Sequence, residues 1–157
     1  MRIHIVGPGG SGKTVLAEAL SQRLSVPCHA MDDMIWNPGA PGAKRPAKER
    51  RALLEAVILE KDWILEGMYL EEAEPAFAEA DQILVLDLSP ALCAFRVLKR
   101  SLAGPDRAHP KMVSAMVKRS LRYRAQELPR LEKLLFPYRE KVRYIRSRED
   151  LQALLRS

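Results

Sequence analysis

Residues 1–14 read Met-Arg-Ile-His-Ile-Val-Gly-Pro-Gly-Gly-Ser-Gly-Lys-Thr, and this stretch decides the fold. A short apolar run, Ile3 to Val6, stops at Gly7. Gly7 to Thr14 then spells G-x-x-x-x-G-K-T. A strand, this glycine-rich turn and a helix, in that order, make a phosphate-binding P-loop. The residue types follow from the chemistry. A triphosphate needs many N–H donors converging on one place, and side chains would obstruct them. Gly7, Gly9, Gly10 and Gly12, with Ser11 among them, let the backbone curl into a nest of N–H groups. The helix that starts near Lys13 aims the positive end of its dipole at the same anion. Lys13 reaches the β- and γ-phosphates, and the Thr14 hydroxyl is placed to hold Mg²⁺.

Outward from this loop, apolar runs alternate with helical stripes. The first helix runs from about Lys13 to Leu24, with Val15, Leu16, Ala19, Leu20 and Leu24 on one face. A short strand, Cys28 to Met31, leads to Asp32-Asp33. Residues 37–47 hold three prolines and two glycines and read as a loop. A helix over about 48–60 turns Leu53, Leu54, Val57 and Ile58 inward. Further strands are Trp63 to Glu66, closed by Gly67, and Gln82 to Asp87, with a short acidic helical segment between them over 71–79. The near-continuous apolar run 83–86 suits a strand buried on both faces of a parallel sheet. Ser89-Pro90 starts a helix to about Leu102, Ser89 as cap and Pro90 in the first turn. A lid-like loop covers about 101–111. One helix is expected from Met112 to Leu135, bent at Pro129. A last strand, Val142 to Ile145, precedes a closing helix over about 148–155. Five short strands alternating with helices imply one α/β domain, residues 1–157, built on a parallel sheet with right-handed crossovers.

Composition agrees. A chain of 157 residues buries enough surface for a core without staples. Cys28 and Cys93 belong to no metal-ligand pattern, so buried free thiols in a reducing cytoplasm are expected. No signal peptide and no apolar run of membrane-spanning length is evident. Charge is uneven: residues 89–157 carry 17 Lys and Arg against 6 Asp and Glu, whereas residues 1–88 carry 9 against 14. Such a basic half suits a polyanion, either nucleotide phosphates or nucleic acid, although solvated helix faces give the same composition.

Ligands of parallel sheets sit beyond the carboxyl ends of the strands. The P-loop, Asp32-Asp33, Gly67 and Asp87 all emerge there. Asp32, and less directly Asp33, can bind an acceptor hydroxyl or take its proton, or can simply cap a helix. Trp36 either stacks on a planar substrate or packs in the core. Gly67 either lets a substrate approach the backbone or serves a turn. Asp87 either holds Mg²⁺ through water or caps the next helix. Arg96 and Arg100 share a helix face beside the lid-like loop, with Arg119, Arg122 and Arg124 on the next helix. Arginine forks stabilise the charge that spreads over a moving phosphoryl group. His4 reads as a packed or edge residue, and His29 and His109 have no partners at metal-ligand spacing.

Five segments together carry a resemblance. They are the P-loop, Met-Asp-Asp-Met-Ile-Trp-Asn-Pro-Gly (31–39), Trp-Ile-Leu-Glu-Gly-Met-Tyr (63–69), Ala-Asp-Gln-Ile-Leu-Val-Leu-Asp-Leu-Ser-Pro (80–90) and Cys-Ala-Phe-Arg-Val-Leu-Lys-Arg (93–100). Over roughly residues 1–102 the chain resembles the adenylate-kinase-related P-loop proteins often labelled DNA topology modulation proteins. That resemblance implies a nucleoside-monophosphate-kinase-like P-loop NTPase with sheet order 2-3-1-4-5 and a short lid. It implies ATP as donor, Arg96 near the adenine, Arg100 on phosphates and Arg119 on the transferring phosphate. Two departures concern the acceptor. Glu66-Gly67-Met68-Tyr69 stands where the family usually has Asp-Gly-Asn-Tyr, and residues 70–79 hold four glutamates and no arginine. An acceptor other than a nucleoside monophosphate fits those departures.

The leading reading is a small ATP- and Mg²⁺-dependent kinase. Lys13, Arg100 and Arg119 act on the transferring group, Asp32 acts on the acceptor, and Asp33, Trp36 and Gly67 line the substrate side. The rivals are an ATP-dependent nucleic-acid-binding regulator and a nucleotide-binding protein without catalysis.

Overall fold

The computed structural model describes residues 1–40, 42–103 and 110–156. Five parallel strands form one sheet in the order β2-β3-β1-β4-β5. The strands are β1 (Arg2–Val6), β2 (Cys28–Ala30), β3 (Trp63–Glu66), β4 (Gln82–Leu86) and β5 (Val142–Ile145). The helices are α1 (Lys13–Leu24), α2 (Met31–Ile35), α3 (Ala47–Ile58), α4 (Glu74–Glu79), α5 (Pro90–Ala103), α6 (Pro110–Arg122), α7 (Leu128–Leu135) and α8 (Arg148–Arg156). The expected fold class and sheet order are therefore the observed ones. Most of the lid-like loop, residues 104–109, lies outside the described residues.

The strands sort their side chains by parity. Ile3, Ile5, Ile64, Leu84 and Leu86 join Leu16, Leu20 and Leu154 on one face. Val6, Trp63, Leu65, Ile83 and Val85 join Met31, Phe77, Leu131 and Leu135 on the other. Because both faces are covered, the central strands are apolar at nearly every position, as parallel sheets require. His4 is the exception on the middle strand. It is fully buried, its ring stacks on Phe77 at 4.9 Å, and neither ring nitrogen finds a hydrogen-bond partner of good geometry. Burial holds its pKa down, from 6.5 to about 4, and the nearby Gly67 backbone offsets only part of that, so His4 is neutral.

Three local expectations change. Val15 and Leu53 are exposed, because the inward stripes of their helices are Leu16, Ala17 and Leu20, and Leu54, Val57 and Ile58. Cys28 is an exposed thiol, since β2 is the edge strand and only Cys93 is buried. The helix expected from Met112 to Leu135 is broken well before Pro129. A π-helical turn, Tyr123–Glu127, separates α6 from α7. Proline's ring crowds the carbonyl four residues earlier, here Ala125, so the wider turn ahead of Pro129 relieves the clash. Pro129 then sits in the first turn of α7, where no N–H is missed.

Register fixes what meets at the carboxyl edge. Ile5 and Ala30 both lie level with Glu66, and Val6 lies level with Val85. The P-loop, the β2–α2 corner and the end of β3 therefore open onto one rim.

Candidate functional site

The P-loop is shaped by contacts as well as by its glycines. Gly10 has φ +77°, and a Cβ there would lie 2.2 Å from the Cys93 carbonyl oxygen on α5. Gly7 has φ +153°, and a Cβ would lie 2.7 Å from the Leu86 carbonyl oxygen. Neither position accepts a side chain. The Pro8 carbonyl ties the loop together by accepting from the Ser11 N–H at 3.2 Å, the Ser11 hydroxyl at 2.7 Å and Lys13 Nζ at 3.0 Å. From α6, the Ser120 hydroxyl donates to the Gly9 carbonyl at 3.1 Å.

Above the loop lies a cleft of about 850 Å³. Gly7, Gly9, Gly10, Ser11, Gly12, Lys13, Thr14, Asp32, Arg96, Arg100 and Arg119 all line it, so most of the expected site comes together in space. Lys13 has no carboxylate within ion-pair distance, and among the described residues its only hydrogen bond is to the loop carbonyl. Burial lowers its pKa, opposed by the charges of Glu66 and Asp32. A part-buried ammonium beside a glycine-rich turn has the chemistry to hold an anion. Arg96 and Arg100 reach the cleft from α5. Arg119 reaches it from α6, where its guanidinium is clasped by Glu127, Nε to Oε1 at 2.6 Å and Nη2 to Oε2 at 3.1 Å. The π turn carries Glu127 to that position, and the clasp reinforces the arginine's charge.

Other expected residues lie outside the cleft. Asp87 is buried, and both its oxygens are taken. Oδ1 accepts from Arg124 Nε at 2.9 Å, and Oδ2 accepts from Arg146 Nε at 3.3 Å. It fastens the π turn to the end of β5, so Asp87, expected as a magnesium ligand, pairs with Arg124 and Arg146 outside the cleft. Gly67 is buried beneath Met31, whose Cβ would be 2.6 Å from an added Cβ. Its missing side chain makes room for packing and not for a substrate. Asp33 is exposed, and its carbonyl faces Arg45 Nε at 3.4 Å. Trp36 is 39% exposed, so it is not core, and its indole N–H donates to the Tyr69 hydroxyl at 2.8 Å.

Glu66 and Tyr69 are the residues that sequence reading missed. Thr14 Oγ1 donates to Glu66 Oε1 at 2.9 Å, so the carboxylate beside the P-loop threonine comes from β3. The signal was available: in a 2-3-1-4-5 sheet β3 adjoins β1, and a carboxylate ending it falls next to the P-loop. Tyr69 donates to Asp32 Oδ1. Burial, then that carboxylate, pushes the Tyr69 pKa up.

The cleft's far wall is Leu88, Leu92, Leu151 and Leu155 with Ser147 and Arg148. Ser147 and Asp150 cap α8 reciprocally, the Ser147 N–H donating to Asp150 Oδ2 and the Asp150 N–H donating to Ser147 Oγ, each at 3.0 Å. Among the described residues no three His, Cys, Asp or Glu cluster as a metal site, and no helix is long and apolar enough to cross a membrane.

No family model and no curated protein matches the chain. A solved structure that matches is a shikimate kinase from Bacteroides thetaiotaomicron, with a TM-score of 0.59 and 16% identity over 99% of this chain and 94% of that one. At that identity the likeness shows the fold alone. With the strand order it places the chain in the P-loop kinase fold.

Proposed function

We propose that the protein transfers the γ-phosphoryl group of ATP to a hydroxyl group of a small molecule. The observation that carries this is the arrangement of one cleft. The P-loop, Lys13, Asp32, Arg96, Arg100 and Arg119 all line it. Motor or switch ATPases have no need of a carboxylate at the start of α2 in the same cleft as the P-loop, whereas a phosphotransferase must bind and deprotonate an acceptor. The acceptor oxygen forms the new bond to γ-phosphorus, its proton passes to Asp32, and the bond to the β–γ bridging oxygen breaks to release ADP. Lys13, Arg100 and Arg119 stabilise the charge on the moving group. Arg119 must first leave Glu127.

Thr14 and Glu66 offer an alcohol and a carboxylate oxygen 2.9 Å apart, hard donors that suit Mg²⁺ completed by phosphates and water. Bound there, Mg²⁺ supplies charge neutralisation at the phosphates. The apolar lining residues Leu92 and Leu151, with Arg96 in the same cleft, suit the nucleoside base. Membership of the topology-modulation family is part of this reading and rests on the segments at 31–39 and 63–69. The nucleic-acid reading rests on charge alone, and several of those charges are spent internally: Arg124 and Arg146 on Asp87, Arg119 on Glu127 and Lys141 on the Ala78 carbonyl.

The test is a panel of sugars, polyols, nucleosides and hydroxy acids incubated with γ-labelled MgATP. Label transferred to a member of the panel by the native protein, and lost in Asp32→Asn, is the expected result. No transfer above the ATP-only background, with intact MgATP binding, would leave the nucleotide-binding rival standing.

A further inference from the structure

Two segments that sequence reading kept apart meet at one carboxylate. Trp36 lies four residues after Asp32, and Tyr69 lies three after Glu66. Trp36 Nε1 donates to the Tyr69 hydroxyl at 2.8 Å, and the Tyr69 hydroxyl donates to Asp32 Oδ1. The direction of this chain is forced. An indole N–H only donates, so the tyrosine oxygen receives from it. Tyrosine has one proton, and it must then point at the carboxylate, which only accepts. The main chain at Trp36 is itself fixed. Its backbone N–H donates to the Asp32 carbonyl at 3.0 Å, and its strand-like bridge to Lys44 pins the loop behind it. Among the described residues Asp32 Oδ2 accepts no hydrogen bond.

We propose that Trp36 and Tyr69 are positioning residues that lock the Asp32 carboxylate, engaging Oδ1 and leaving Oδ2 as the single oxygen presented to the acceptor. The role at the acceptor rests on the phosphotransfer reading above, while the lock itself is a property of the three side chains. It explains why an exposed tryptophan accompanies this aspartate without packing in the core. The exposed Asp32 carboxylate in the first turn of α2 has free rotamers, and these must be fixed for the acceptor oxygen to approach in line. It also assigns the two oxygens different work. Oδ1 is spent on orientation, and Oδ2 receives the hydroxyl proton. The charge of Asp32 is felt at Lys13 and at Arg119, and that of Tyr69 at Arg119 as well, so the lock shares the cleft with the cations proposed to bind phosphate.

The experiment needs no acceptor. The chain has two tryptophans, Trp36 and Trp63, so a nitrogen–proton correlation spectrum shows two indole peaks, assigned with Trp36→Phe. The spectrum is followed as acid is added to the native protein, to Asp32→Asn and to Tyr69→Phe, each shown to be folded by circular dichroism. The proton itself is the probe. In the native protein the Trp36 peak moves in one step as Asp32 is neutralised. The step is lost in Asp32→Asn. In Tyr69→Phe the peak lies upfield at every pH, because its acceptor is gone, and the step is lost again. A native peak that does not move, or a step that survives in either variant, overturns the lock. A step present in a protein that binds no MgATP keeps the lock and removes the phosphotransfer reading, so the two failures are distinguishable.

Discussion

Replacing Gly10 by alanine puts a methyl group where the structure has no room. The added carbon lies 2.2 Å from the Cys93 carbonyl oxygen, 3.0 Å from its carbon and 3.1 Å from Val97 Cγ2. Two of those atoms are helix backbone, which cannot rotate away, so α5 must move or the loop must open. The φ of +77° adds a left-handed penalty of about 1–2 kcal/mol, and overpacking of this kind adds about 1–3 kcal/mol. Gly10→Ala is therefore expected to lose about 2–5 kcal/mol. Gly12 gives the control. Its φ is +92°, but nothing lies within 4 Å of an added Cβ, so Gly12→Ala carries only the left-handed penalty of about 1–2 kcal/mol. Urea unfolding at neutral pH measures both. MgATP titration should show the larger loss for Gly10→Ala, because the displaced turn no longer aims its N–H groups. Equal stability of the two variants, or undiminished MgATP affinity in Gly10→Ala, would refute the claim that α5 packing sets the loop's shape.

Four further outcomes follow from particular contacts. His4 has its folded pKa lowered from 6.5 to about 4, so the unfolded chain takes up its proton first and stability falls as pH drops from 6.5 toward 4. His4→Phe should remove that loss, gaining about 2 kcal/mol on the native protein between pH 7 and pH 5 in urea unfolding. Glu127→Gln weakens the clasp on Arg119, and since Arg119 is largely exposed the gain is small, a rise in MgATP affinity of about twofold to fivefold by calorimetry. Asp87→Asn leaves Arg124 and Arg146 without a charged acceptor. It should cost about 1–3 kcal/mol in thermal unfolding, with MgATP binding retained, since Asp87 lies outside the cleft. Lys13→Ala removes the ammonium beside the loop and should weaken MgATP binding.

What was legible in the sequence was what is local. The loop from Gly7 to Thr14 carries its own glycines, lysine and threonine, so its shape could be read from eight residues. The strands were legible because a sheet covered on both faces writes unbroken apolar runs such as Ile83 to Leu86. Asp87 was not, because its partners, Arg124 and Arg146, are distant in sequence and reach it only through the π turn and the end of β5. The π turn itself was masked by an uninterrupted helical pattern on either side of Pro129. Glu66 was read as a departure from a family motif. Its meaning comes from strand order, which sets β3 against β1 and its carboxylate against Thr14. Trp36 posed a choice between core and stacking; its exposure excludes the core, and its hydrogen bond goes to a residue 33 positions away that local pattern does not show.

The central claim is that Gly7 to Thr14 grips a nucleoside triphosphate through Lys13. The direct measurement is calorimetric titration of MgATP into the native protein and into Lys13→Ala, with folding of both checked by circular dichroism. The account predicts one saturable site in the native protein and an affinity at least ~10-fold lower in the variant, the equivalent of losing about 1.4 kcal/mol or more from a charge-assisted contact. No saturable MgATP binding by the folded native protein, or equal affinity in the two, would contradict it.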